Sequence, residues 1–150
     1  MATVKDAAKF ALKAHGNQKY GSYPYSYHLE KVYKNAVKYG GSGPALQAAW
    51  LHDTIEDTPI TRADVARAFG GNVAKIVDLV SNRASKETTN KRIRTSKDAV
   101  FVKLCDRLAN TTEGQKNDKY RKAHPLFKSI LYRKGEFDAL WKAIDKALGV

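Results

Sequence analysis

The sequence predicts an all-α fold, and three observations carry that prediction. Apolar residues recur at intervals of three and four along most of the chain, the spacing that aligns one face of a helix. Runs of β-branched residues alternating with polar ones over a strand's length are missing. Glycine, proline and polar clusters punctuate the periodic stretches.

The first helix is expected from about Thr3 to His15, with Val4, Ala8, Ala11 and His15 on one face. The stretch 16–27, GNQKYGSYPYSY, reads as a loop. A second helix from about His28 to Tyr39 buries Leu29, Val32, Ala36 and Val37 and ends in GGSG. Pro44 suits the first turn of a third helix, which is apolar on most sides and so belongs in the centre of the core. It carries His52, Asp53, Glu56 and Asp57 and should stop near Thr58, because Pro59 disfavours helix in the residue before it.

Thr61 with Asp64 reads as an N-cap and its partner, opening a short helix that ends at Gly70-Gly71. Val73, Ile76, Val77 and Val80 stripe the next one. Residues 82–97 hold six Lys or Arg against one Glu with few apolar anchors, and are expected to be a mobile basic segment. A helix from about Asp98 to Asn110 follows, then a polar loop over 111–118, then a helical region interrupted by Pro125. The last helix, from about Glu136 to Leu148, presents Phe137, Leu140, Trp141, Ile144 and Leu148 to the core.

With 150 residues and 43% apolar content, the chain reads as a single domain over 1–150 that buries about 70% of its unfolded surface. Cys105 is the only cysteine, which rules out a disulfide framework or thiolate metal cage and suits a reducing, cytoplasmic setting. No apolar run has the length of an export signal or of a membrane span. The net charge of +12 implies attraction to polyanions, whether nucleic acid, acidic membrane or a polyphosphorylated small molecule, and does not choose among them.

The densest chemistry is His52-Asp53-Thr54-Ile55-Glu56-Asp57. On one continuous helix His52 would stack with Glu56, and Asp53 with Asp57. Acidic groups crowded at a helix C-terminus repel one another and the helix dipole, a penalty that a divalent cation removes. A solvated helix end is the simpler reading of the hexapeptide alone. With His28 and Asp106, however, His52 and Asp53 make a two-nitrogen, two-carboxylate set suited to one octahedral ion of Mn²⁺ type. Such an ion acidifies a water and stabilises charge on phosphoryl oxygens. Lys19, Lys91, Arg92 and Arg94 could neutralise a polyphosphate, and Tyr23, Tyr25 and Tyr120 could wall a base pocket.

The order of His28, then LHDTIEDT at Leu51–Thr58, then VKLCDRLANT ending at Thr111, resembles the hydrolase domain of the RelA/SpoT family over most of residues 3–112. The length is that of the stand-alone small alarmone hydrolases. AHGNQKYGSYPYSYH resembles the family's first motif, with Leu29 where proline is common and Tyr20 where a second basic residue is common. The resemblance implies a single HD-domain helical bundle with a mononuclear metal site in the core cleft. It implies that His28, His52, Asp53 and Asp106 bind the metal and that Glu56 and Asp57 position and deprotonate the attacking water. Lys19 and Asn110 would contact the nucleotide, with Arg92 and Tyr120 added as substrate candidates on the charge and ring arguments above. The implied reaction is removal of the 3′-pyrophosphate from (p)ppGpp. Removal of the 2′-phosphate of NADPH, neutralisation of a synthetase or toxin partner, and nucleic-acid binding are the alternatives. The last lacks any recognisable motif beyond charge.

Overall fold

The computed structural model describes residues 2–112, 114 and 116–150. Within the polar loop expected over 111–118, Glu113 and Gln115 lie outside the described residues. The helices are α1 (Val4–His15), α2 (Tyr25–Lys38), α3 (Pro44–Leu51), α4 (Thr54–Asp57), α5 (Arg62–Phe69), α6 (Gly71–Val80), α7 (Lys86–Ile93), α8 (Lys97–Thr112), α9 (Asn117–Leu131) and α10 (Asp138–Leu148). None is long and apolar enough to cross a membrane among the described residues.

The apolar α3 lies at the centre, against α1, α2, α6 and α8, because none of its faces can be left in water. Ala48, Ala49 and Leu51 of α3 are buried with Leu29 and Val32 of α2 and Val102, Leu104 and Cys105 of α8. α10 closes the other side of α8 with Trp141 and Ile144. Capping boxes start α1 and α5, Thr3 with Asp6 and Thr61 with Asp64, each pairing two amide groups that the first helical turn leaves open. Gly41 permits a close approach, since a Cβ there would meet the Phe101 ring at 2.6 Å.

Six expectations about the elements are corrected, the first being burial of Val37 in the second helix, a residue that is 52% exposed. The stretch 16–27 is not loop throughout. Lys19–Tyr20 (β1) and Tyr23–Pro24 (β2) pair antiparallel, turning at Gly21 with a left-handed φ of 59°, and two-residue strands are too short to show a period. α2 then starts at Tyr25, so His28 sits one turn inside the helix rather than at its head.

The third helix is not continuous to Asp57. It stops at Leu51, and Asp53 has φ −102° and ψ 0° between α3 and α4. The Thr54 hydroxyl donates to the Leu51 carbonyl at 2.7 Å, a local bond that competes with the helical ladder. The simple stacking of His52 on Glu56 is therefore lost.

Residues 82–97 contain α7, which packs on α6 and α9. Its buried face is Thr89, Asn90 and Ile93, so a search for apolar periodicity sees one residue of three. α9, finally, runs through Pro125 without a break. Proline removes one ladder bond there, and burial of Phe127, Ile130 and Leu131 against the neighbouring helices holds the segment helical.

Candidate metal centre and cleft

Three helices deliver the four candidate ligands. His28 lies on the buried face of α2 with Leu29 and Val32, His52 and Asp53 form the break between α3 and α4, and Asp106 comes from α8. His28, His52 and Asp53 each offer a donor atom within 4.8 Å of the other two. Asp106 Oδ1 lies 2.9 Å from His28 Nε2 and 3.3 Å from His52 Nε2, and Asp53 Oδ2 lies 3.0 Å from His52 Nε2. The break that spoiled the stacking is what lets His52 and Asp53, adjacent in sequence, face the same point.

The residues fit a divalent ion on a specific observation. His52 Nδ1 donates to the Ala49 carbonyl at 2.8 Å, so the neutral ring carries its lone pair on Nε2. That nitrogen is buried and makes no hydrogen bond, although two carboxylate oxygens stand beside it. Asp53 is oriented by the Tyr25 hydroxyl, which donates to Oδ2 at 2.5 Å, and Asp106 by Asn110 Nδ2 at 3.2 Å. Asn110 in turn accepts from the Tyr20 hydroxyl at 2.8 Å, and the Tyr20 ring stacks on His28 at 4.7 Å. Two nitrogens and two carboxylate groups, with His52, Asp53 and Asp106 each hydrogen-bonded from behind, suit a divalent cation and not a closed thiolate zinc site.

Burial alone would favour a neutral His52, but Asp53 and Asp106 outweigh it and raise its pKa well above the usual imidazole value. Burial likewise opposes ionisation of Asp106, and His52 with the hydrogen bond from His28 drives its pKa well below the carboxylate range. The carboxylates that would hold an ion thus also favour a proton on His52, and the two compete for Nε2. A metal needs the Nε2 lone pair, so ion uptake must expel that proton, and apparent affinity should rise with pH. Titration calorimetry with Mn²⁺ between about pH 6 and about pH 8, in buffers of different ionisation enthalpy, checks this. Tighter binding at the higher pH and a buffer-dependent heat are expected, and a heat independent of buffer would contradict the proton release.

Glu56 and Asp57 stand at the rim on α4. Both Glu56 oxygens are held by Asn82, its backbone N–H at 2.7 Å and its side-chain amide at 2.9 Å. Asp57 accepts from Gln18 Nε2 at 3.1 Å, and Gln18 Oε1 faces His15 Nδ1 at 2.8 Å, which sets the amide orientation. Burial raises the Asp57 pKa, with Asp53 and Glu56 adding to the shift and Gln18 opposing it.

These groups open onto a cleft of about 670 Å³, within the range of small-molecule sites. Lys19, Asn110 and Tyr120 line it, as do all four candidate ligands, Glu56 and Asp57. Arg92 does not. Its Nη2 lies 3.4 Å from Asp78, which Arg62 and Arg83 also pair, while Lys91 pairs Glu87. Lys86 and Asn90 form the cleft face of α7, and Arg92 lies about 200° around the axis from Asn90. Sequence reasoning left out Lys86, Lys103, Arg107, Lys119 and Lys122, cleft-lining cations from three helices that no local motif marks. Burial lowers the Lys86 pKa, with Lys103 and Lys119 adding to the effect, a sign of how closely the cations crowd.

A helical frame that gathers two histidines and two aspartates at one end of a cleft is the arrangement of an HD domain. The HD domain family matches residues 7–127, and the chain belongs to that family, in the branch of the RelA/SpoT homologues. The chain is 34% identical over 118 residues to a guanosine-3′,5′-bis(diphosphate) 3′-pyrophosphohydrolase of Aquifex aeolicus, a match covering 71% of this chain and 17% of that protein. It is 34% identical over 121 residues to the Xenopus tropicalis enzyme of the same description, MESH1, covering 73% of this chain and 68% of that one. The chain thus spans about a sixth of the Aquifex protein, 17%, and about two thirds of the Xenopus one, 68%. The fold is that of a solved metazoan SpoT orthologue described as hydrolysing ppGpp, with a TM-score of 0.84 at 22% identity over 99% of this chain and 95% of that one. A Listeria monocytogenes structure matches at TM-score 0.65 and 22% identity, over 85% of this chain and 97% of that one.

Proposed function

We propose that this chain is a cytoplasmic, Mn²⁺-dependent hydrolase that removes the 3′-pyrophosphate of (p)ppGpp. The observation that carries the reading is one cleft lined both by His28, His52, Asp53 and Asp106 and by a set of cations that includes Lys86, Lys103 and Lys119. A substrate with a reacting phosphoryl group and further phosphates elsewhere matches both, and the two relatives described as 3′-pyrophosphohydrolases support the choice.

A divalent ion held by the four ligands supplies Lewis-acid polarisation of the phosphoryl group and an acidified water. The chain's own residues do the rest. Tyr25 and Asn110 keep Asp53 and Asp106 turned inward. Glu56, held by Asn82, and Asp57, held by Gln18, orient the attacking water and take its proton. The oxygen of that water bonds to the phosphorus attached at the ribose 3′ position, the bond from that phosphorus to the 3′ oxygen breaks, and the 3′ oxygen regains a proton. GDP or GTP and pyrophosphate leave. Lys19 and Tyr120 contact the nucleotide from the cleft walls.

Incubation with (p)ppGpp, NADPH or simple nucleotides and Mn²⁺, with products separated by charge, tests the reading. Pyrophosphate with GDP or GTP is the expected result. Inorganic phosphate from NADPH at a higher kcat/KM than pyrophosphate from (p)ppGpp would overturn the substrate assignment and leave a phosphohydrolase.

A further inference from the structure

Arg107 follows the candidate ligand Asp106 on α8, and its surroundings are unusual for an arginine. The residue is only 8% exposed, and its guanidinium lies over the rings of Phe127 at 3.8 Å and Tyr120 at 4.7 Å. Nη1 is buried without a hydrogen-bond partner, and no carboxylate among the described residues pairs with the side chain. The nearest acidic neighbour in sequence, Asp106, is engaged by His28, His52 and Lys103 instead. Aromatic faces stabilise a cation in part, but they do not satisfy its planar fork of donors. A buried charge without a hydrogen-bonded counter-charge is among the more costly arrangements in a protein interior.

The same side chain lines the cleft. Successive residues on a helix point about 100° apart, so Asp106 faces the histidines while Arg107 faces α9 across the cleft floor. Lys103, four positions earlier on α8, shares the Arg107 face and also lines the cleft. The missing partner therefore has an approach route through the cleft, with Lys103, whose ammonium also stands 3.7 Å from Asp106, on the same helix face.

We propose that Arg107 is a binding residue for a phosphate group of the substrate remote from the reacting one, its fork left open in the free protein for that oxyanion. This rests on the hydrolase reading for the identity of the substrate, although the anion site itself does not. It explains why one helix would place a metal ligand and an unpaired arginine side by side. The pair sets the spacing between the phosphoryl group attacked and the phosphate gripped, and so favours nucleotides phosphorylated at two positions.

The experiment compares wild type, Arg107→Met and Arg107→Lys, each as the full chain with its metal. Thermal melting is followed with and without inorganic pyrophosphate, and steady-state kinetics on (p)ppGpp. Arg107→Met should melt at or above the wild-type temperature without ligand, because an unpartnered buried charge is gone, and should lose most of the pyrophosphate-induced rise. Its KM should increase about ten-fold or more, with kcat changed less, the mark of a binding contact. Arg107→Lys keeps the charge without the fork and should fall between the two. The metal contributes to pyrophosphate binding in all three proteins, so the difference among them isolates Arg107. A wild-type-sized pyrophosphate shift in both variants would overturn the proposal, even if Arg107→Met also proved unstable. Absence of (p)ppGpp turnover in wild type, with the variant-dependent shift intact, would instead remove the substrate reading and keep the anion site.

Discussion

Asp53→Ala should lose bound metal and phosphohydrolase activity together. Asp53 Oδ2 stands 3.0 Å from the buried His52 Nε2, and the Tyr25 hydroxyl fixes its direction toward the candidate ligands. Loss of a Lewis acid removes several kcal/mol of transition-state stabilisation, which at 1.36 kcal/mol per decade is a fall of about 10³-fold or more. Mn²⁺ should raise the melting temperature of wild type, by about 2.7 kcal/mol of stabilisation at a hundred times its dissociation constant, and leave that of the variant unmoved. Elemental analysis together with melting curves reads both effects. A variant with a full complement of metal would remove Asp53 from the site.

Glu56→Gln and Asp57→Asn should behave differently, keeping metal while turnover falls by about 10²–10⁴-fold, the range for general acid–base catalysis. The two differ in their supports. Glu56 receives both its bonds from Asn82, and an amide there turns one of those contacts into a clash of donors. Asp57 accepts a single bond from Gln18 on Oδ2, and burial raises its pKa. Metal content, KM and kcat measured on both variants separate the cases. Loss of metal in either would make that residue a ligand.

The candidate ligands could be read from the chain because each falls in a short motif, whereas the groups that orient them could not. Tyr25 reaches Asp53 across 28 positions and Asn82 reaches Glu56 across 26, and nothing local in the sequence ties either pair together. The central placement of α3 follows from its apolar composition, and the end of α5 at Gly70 from the glycines there. The break at His52-Asp53 does not follow from composition. Periodicity continues across it, and a single bond from Thr54 to Leu51 marks the change. α7 escaped notice for a related reason, since its buried face is largely Thr89 and Asn90. Nothing in the chain around Arg107 marks it, and only the rings of Phe127 and Tyr120, brought in from α9, show that it lacks a carboxylate partner among the described residues.

The central claim is that His28, His52, Asp53 and Asp106 hold one catalytic ion. Anomalous scattering from crystals grown with Mn²⁺ tests it most directly. The account predicts a single strong peak within about 2.3 Å of Nε2 of both histidines and of a carboxylate oxygen from each aspartate. A peak centred on Glu56 and Asp57, or none at the His28–His52 pair, would contradict it.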